Sequence, residues 1–229
     1  AAVRMLGGVY GRRVVVVAGP GNNGADGRVA ATVLERRGVR VQVVSPDELD
    51  VLVGIDLVID AAYGTGLSRP YEFPEVAPGV PVLAVDIPSG VDGLTGESLG
   101  RPRRADETVT FAALKPGLLH EPGRSLCGRV RVVSIAGLEV EEVSTHVVER
   151  SDAAAWVPGR GADHHKWKTA LRIVGGSAAM TGAVELAASA ASRIAGYVEV
   201  AVPGREGVAR PMEAVGRWLP AAAWGSTAA

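Results

Sequence analysis

Carboxylates, amides and hydroxyls gather on short loops of this sequence, each directly after an apolar run. The first loop is Gly19-Pro20-Gly21-Asn22-Asn23-Gly24-Ala25-Asp26-Gly27. Asp60 closes Leu57-Val58-Ile59, and the chain then reaches Gly64-Thr65-Gly66-Leu67-Ser68-Arg69-Pro70. Val85-Asp86-Ile87-Pro88-Ser89-Gly90 and Leu114-Lys115-Pro116-Gly117 complete the set. Glycines ahead of a helix offer bare N–H groups and the positive end of a helix dipole, a setting for a polar, phosphate-bearing ligand. Gly19-x-Gly21-x-x-Gly24 also satisfies the dinucleotide fingerprint, and the amides of Gly64-Thr65-Gly66 can face an anion with Arg69 as its phosphate partner.

Asp60 and Asp86 end apolar runs, where an unpaired carboxylate is costly. Two such acids at neighbouring strand ends call for a cation, a hydrogen-bonding ligand or a raised pKa. Hard oxygens from Asn23, Asp60 and Ser89, helped by backbone carbonyls, suit a group-one or group-two ion. No His or Cys joins them, which points away from zinc. Each residue also has a plainer reading. Asn22 and Asn23 are turn residues, and Asp26 suits the first turn of any helix. Gly64-Thr65-Gly66 reads equally as a turn beside a solvated Arg69, and Lys115 as a surface charge. Asp92 and Glu97 serve loop structure, His120 is a surface residue, and Cys127, with no partner base, is a small packed side chain. The convergence of several polar loops is what favours a site.

The elements that must position these loops are legible as apolar runs at 14–18, 39–44, 55–61, 80–85, 108–112 and 130–135. Most are near-continuous and rich in Val and Ile, the pattern of parallel strands buried on both faces. The clearest helix spans about 25–37 and ends at Gly38. Between 63 and 79, Pro70, Pro74 and Pro78 limit any helix to a turn or two. Right-handed crossovers then give a three-layer, doubly wound sheet, whose ligands sit outside the carboxyl ends of its strands.

The texture changes after Ile135. Gly137-Leu138-Glu139-Val140-Glu141-Glu142 is a polar connector, and Pro158-Gly159-Arg160-Gly161 opens a long loop. A second strand–loop–helix–strand unit begins at Ala170. This places a boundary near 138, with 139–229 as a linker and an incomplete second α/β domain. The sequence opens on what reads as the tail of a helix.

Composition bounds the function. The chain has 229 residues, 47% of them hydrophobic and 4% aromatic, enough for a real core in one domain plus part of another. A net charge of −1 gives no electrostatic case for nucleic acid or an anionic membrane. No apolar run reaches about 20 residues, so no membrane span is expected. The single Cys127 excludes an internal disulfide and suits the cytoplasm.

Taken in order, the loops 19–27, 64–70, 85–90 and 113–117 resemble the NAD(P)H-hydrate epimerase family of the YjeF N-terminal type, over about 1–138. His165-Lys166-Trp167-Lys168, Val174-Gly175-Gly176-Ser177 and Met180-Thr181-Gly182-Ala183 resemble the opening of the ADP-dependent NAD(P)H-hydrate dehydratase family, to which the first is fused in bacterial bifunctional repair enzymes. The resemblance implies a Rossmann-like α/β fold followed by a ribokinase-like segment. It implies that Asn22, Asn23, Gly24, Ala25 and Asp26, with Gly64, Thr65, Gly66, Leu67, Ser68, Arg69 and Pro70, surround a hydrated NADH or NADPH (NADHX or NADPHX). Asp86 also contacts it, and Asn23, Asp60 and Ser89 hold a potassium ion. Two departures stand out: Ala25 replaces the family's usual Gly, and the family's leading helix is largely absent before Ala1.

The function expected is epimerisation of the R and S hydrates, with Asp86 managing the proton on the C6 hydroxyl and Lys115 as its partner. The dehydratase stretch is too short for the lyase reaction to be expected. No nucleic acid or membrane partner is expected, and a homo-oligomer is left open. A nicotinamide-dependent oxidoreductase is the competing enzyme class. It calls for an acid at the end of the second strand, yet that strand ends Val44-Ser45-Pro46 with Asp47 displaced past the proline. Asp26 would also repel a pyrophosphate at the helix start. The third reading is an inactive nucleotide-binding module.

Overall fold

A computed structural model describes residues 1–47, 52–135, 137, 145–157, 159, 161–177 and 179–220. The chain divides into two compact units, Ala1–Glu142 and Val143–Ala229. The connector over 138–142, and with it the expected boundary near 138, lies outside the described residues.

Unit one opens with α1 (Ala2–Leu6), β1 (Arg13–Ala18), α2 (Asn22–Glu35), β2 (Arg40–Val44) and β3 (Leu57–Ala61). It continues through β4 (Tyr71–Glu72), β5 (Val82–Val85), β6 (Gly100–Arg101), β7 (Glu107–Phe111), α3 (Gly123–Leu126) and β8 (Arg129–Val133). Six of these strands form one sheet in the order β2-β1-β3-β5-β7-β8, every pair parallel. The chain leaves β1 for β2 on one side, then crosses to β3 on the other. That reversal opens a crevice at the carboxyl ends of β1 and β3.

Alternate residues of the valine run point to opposite faces, and both faces are covered. Val14 and Val16 pack with Leu57 and Ile59 under Leu6, Ala31 and Leu34 of the two helices. Val15, Val17, Val58 and Val82 pack under Tyr71, Phe73 and Val76. The second covering layer is extended chain, as the proline-rich stretch 70–78 dictates. Burial on both faces holds for β1, β3 and β5 but not for the outer strands: β2 and β8 are largely exposed, with Val43, Val132 and Val133 at the surface. Each sits at a sheet edge and lacks a neighbour on one side.

Helix α2 begins at Asn22, three residues before the sequence-based start at 25. Gly21 caps it in an extended conformation, and Gly38 follows it at φ +87°. Its buried stripe is Gly24, Gly27, Ala31 and Leu34, small at the end nearest the crevice. That taper lets the helix start press onto the sheet. A methyl on Gly27 would lie 2.4 Å from Ala61 Cβ, and one on Gly24 would lie 1.8 Å from the Gly19 carbonyl oxygen.

Unit two contains α4 (Arg150–Trp156), β9 (Ala170–Val174), α5 (Gly182–Ala191), β10 (Tyr197–Ala201) and β11 (Ala214–Gly216). Its strands are parallel in the order β11-β10-β9, and Val184, Ala188 and Ala191 pack against Val198, Val200 and Ala214. Glu199 is buried between Arg172 at 2.6 Å and Arg217 at 2.8 Å. No described helix is long and apolar enough to cross a membrane.

The helix–sheet contact yields a stability prediction. Gly27→Val is expected to lower the unfolding free energy by about 1–3 kcal/mol through overpacking. Gly66→Ala, which meets nothing within 4 Å, stays within about 0.5 kcal/mol. Urea unfolding monitored by far-UV circular dichroism separates the two.

Candidate functional site

Parallel register brings the polar loops to one edge. Asp60 pairs across to Val17 on one side and Ala84 on the other, while Val85 pairs to Val109. One residue beyond these pairs, Ala61 ends β3, Asp86 leaves β5, and Thr110 stands beside it on β7. The crevice between them is a cavity of about 620 Å³, whose walls come from the start of α2, the 62–69 loop, Asp86, Phe111, Ala112, Lys115 and Ile135.

The centre of the site is an anchored carboxylate. Asp86 Oδ1 accepts from Lys115 Nζ at 2.5 Å, from Thr110 Oγ1 at 3.1 Å and from the Phe111 amide at 3.4 Å. Lys115 Nζ donates also to Thr110 Oγ1 at 2.8 Å and to the Phe111 carbonyl at 2.8 Å. All three ammonium protons are thereby engaged within the protein, so Lys115 holds Asp86 and has none left for a ligand. Asp86 Oδ2 has no partner among the described residues and lies 3.6 Å from where a Gly64 Cβ would stand. The two carboxylate oxygens thus stand in different settings: one is held, the other is without a partner among the described residues. Backbone conformation supports this placement. Asp86 at φ +70° and its neighbour across the strand ends, Ala112 at φ +63°, both occupy the left-handed region. Such strain costs on the order of 1–3 kcal/mol per residue and clusters at functional sites.

A second polar group lies deeper. Asp60 is wholly buried, accepting from the Ser89 amide at 2.8 Å, the Ser89 hydroxyl at 2.5 Å and the Ala62 amide at 3.3 Å. Burial pushes its carboxyl up to about 6, against the lowering effect of those bonds, and no Lys or Arg pairs with it among the described residues. Ser89 Oγ also accepts from the Tyr63 amide at 2.8 Å and lies 3.0 Å from its carbonyl. The next residue, Gly64, approaches Asn23: a Cβ there would stand 3.5 Å from Asn23 Cβ. Both polar atoms of the Asn23 amide are buried without a hydrogen-bond partner. Buried amides are ordinarily satisfied, so the pair is incomplete as it stands. A buried carboxylate with no cation partner among the described residues and an orphaned amide oxygen are hard oxygen donors of the kind that suit a group-one or group-two ion.

The glycine-rich loop separates into two kinds of glycine. Gly19 and Gly24 have no room for a side chain, since a methyl on Gly19 would lie 1.8 Å from the Ala62 carbonyl oxygen. Gly21 and Gly66 face open space and line the cavity. Asn22, Asn23, Asp26, Gly64, Thr65, Leu67, Ser68 and Arg69 line it as well. Gly24, Ala25 and Pro70 do not: Gly24 is packed beneath the loop, Ala25 is exposed off the cavity on the helical turn, and Pro70 lines a neighbouring depression. Asn22 to Asp26 belong to the first turns of α2, so only some of their side chains face the crevice.

Several contributors are absent from the sequence-based set. Thr110 and Ala112 sit at the end of β7, in the run 108–112, which no acid closes. Arg28, in the second turn of α2, donates to the carbonyls of Gly19 at 2.8 Å and Ala18 at 3.2 Å and so fixes the exit of β1. Tyr63 supports Arg69, whose guanidinium lies 5.5 Å above its ring and donates to its hydroxyl at 3.0 Å. Asp92 caps its own loop by accepting from the Leu94 and Thr95 amides, bonds that lower its carboxyl below the usual range. Cys127 is buried with its thiol pushed up by desolvation. Native protein is therefore expected to resist iodoacetamide at pH 8 and to take one carbamidomethyl group only in denaturant, read by intact mass.

Comparison with known proteins agrees with this architecture. The family profile described as YjeF-related protein N-terminus matches residues 1–53 and 45–117. The bifunctional NAD(P)H-hydrate repair enzyme Nnr of Moorella thermoacetica is 36% identical over 257 residues, covering 88% of this chain and 47% of that protein. The Nnr of Mycobacterium leprae is 37% identical, covering 83% of this chain and 45% of the relative. For that of Hyperthermus butylicus the figures are 40%, 80% and 41%. The chain spans about half the length of the curated relatives it matches.

Proposed function

The chain belongs to the family of YjeF-related N-terminal domains, and on that footing we propose that it serves NAD(P)H-hydrate repair by interconverting the R and S forms of the hydrates. The observation that carries the reading is the divided Asp86 carboxylate: one oxygen clamped by Lys115, Thr110 and an amide, the other free toward the crevice. In a hydrate, C6 of the dihydronicotinamide ring bears a hydroxyl and is bonded to the ring nitrogen. The nitrogen lone pair expels the hydroxyl as the C–O bond breaks, leaving a planar iminium carbon. Water then adds to either face and loses a proton, restoring the starting charge. A proton must reach the departing oxygen and another must leave the arriving one, and Asp86 Oδ2 is the group assigned to both transfers. Lys115 keeps Oδ1 fixed and its charge balanced.

The nucleotide's pyrophosphate is assigned to the Arg69 side of the cavity, since Asp26 would repel it at the start of α2. Arg69 adds a positive charge on the rim. Asn23, Asp60 and Ser89 are the residues assigned to a potassium ion, supported by the orphaned Asn23 amide and the unpaired buried Asp60. Such an ion would balance buried charge and stiffen the loops around the ligand. Whether the dehydratase segment acts is a separate matter, and none of its residues enters this reading.

The direct test is chromatographic: purified R-NADHX incubated with the protein, in potassium and in its absence, against buffer alone. Formation of the S form faster than in buffer is expected, with Asp86→Asn reducing that rate by about a hundredfold or more. A rate equal to buffer refutes the reading, and an unaffected Asp86→Asn variant refutes the role of Asp86. Thr110 is expected to act through Asp86. Thr110→Val should lower kcat about tenfold with KM within about twofold, whereas Thr110→Ser should restore most of it. Equal losses in the Val and Ser variants would show that packing, not the hydroxyl, matters there.

A further inference from the structure

The main cavity does not end the groove. A second depression, of about 330 Å³, lies at the carboxyl ends of β1 and β2 and shares Pro20, Tyr63 and Arg69 with the first. The hydrates are dinucleotides, so a ligand with its nicotinamide ring at Asp86 must carry a second nucleoside somewhere along the same edge. The groups available in the second depression differ in what they have left to offer. Arg28 already has both terminal nitrogens committed to the Gly19 and Ala18 carbonyls. Arg69 lies on the Tyr63 ring, on the wall common to both depressions, where a bridging pyrophosphate would cross. Asp47 is exposed, and its carboxylate has no hydrogen-bond or ion-pair partner among the described residues; only its amide is engaged, with Ser45 Oγ at 3.4 Å. The groove then continues past Asp47 to Glu72, adding a second acid.

We propose that this depression holds the second nucleoside of the dinucleotide, that Asp47 accepts hydrogen bonds from its ribose diol, and that the site thereby favours the hydrate lacking a 2′-phosphate. This rests on the repair reading of the same crevice. The chemistry is directional. A carboxylate accepts from two vicinal hydroxyls, but it repels a phosphate dianion placed on one of them. Asp47 stands past Pro46, three residues beyond the end of β2 at Val44, yet the fold still lines the depression with it. Arg28 and Arg69 line the same depression, so the discrimination against a 2′-phosphate is assigned to the Asp47 carboxylate itself.

Two measurements on the full chain separate the inference from the reading beneath it. In steady-state epimerisation, kcat/KM for NADHX is expected to exceed that for NADPHX by about tenfold, chiefly through KM, and Asp47→Asn should reduce the ratio to within about twofold. Equal values in the unmodified protein, a preference for NADPHX, or an unchanged ratio in Asp47→Asn overturns the inference. In calorimetric titration, AMP is expected to bind at least fivefold more tightly than adenosine 2′,5′-bisphosphate, a difference lost in Asp47→Asn. Equal affinities, tighter bisphosphate binding or no binding of either overturns it. If AMP selectivity appears without turnover of either hydrate, the subsite stands and the epimerase reading falls.

Discussion

The close approach of α2 to the end of β3 is the contact on which the rest of the site depends. Gly24 and Gly27 bring no side chain to the helix side of that approach, Gly24 lying against Gly19 and Gly27 against Ala61 and Val16, and Gly19 lets β1 turn away directly against the Ala62 carbonyl. A helix start brought this near the sheet aims its first N–H groups into the switch-point crevice and buries the Asn23 amide. It also sets the 62–69 loop across the opening, with Tyr63 bonded to Ser89 on one side and Gly64 against Asn23 on the other. Side chains at those glycines would push the helix outward and separate the groups that the strands align.

Two carboxylates share this edge in opposite electrostatic settings. Asp60 is enclosed, bonded to Ser89 and an amide, and pushed up to about 6 by desolvation that no side-chain cation offsets. Asp86 is only partly exposed and directly paired to Lys115. The first arrangement is costly unless a counter-charge arrives, since burying an ion without a partner outweighs the few hydrogen bonds it receives. The second is stable as it stands and leaves one oxygen free. That contrast is what the proposal rests on in giving Asp60 an ion-holding role and Asp86 a chemical one.

Much of this was legible in the sequence, for definite reasons. The valine and isoleucine runs located every strand of the main sheet, because burial on both faces leaves no room for alternation. Acids closing those runs located Asp60 and Asp86, because a parallel sheet brings all its carboxyl ends to one edge. The edge strands β2 and β8 were read as more buried than they are, since composition does not reveal which strands lack a neighbour. The start of α2 was read three residues late because Asn22, Asn23 and Gly24 are poor helix formers, and here tertiary packing overrides propensity. Thr110 and Arg28 were missed for another reason. Their roles come from bonds across 24 residues and to backbone carbonyls, which no local pattern encodes.

The central claim is that the C6 oxygen departs as water beside a free Asp86 oxygen and that a solvent water takes its place on either face. The most direct measurement is epimerisation of R-NADHX in water enriched in ¹⁸O, with the isotope content of the S product read by mass spectrometry. The account predicts that S-NADHX carries solvent oxygen at C6 from its first appearance, at a rate that depends on the protein. S-NADHX formed by the protein with its original oxygen retained would contradict it.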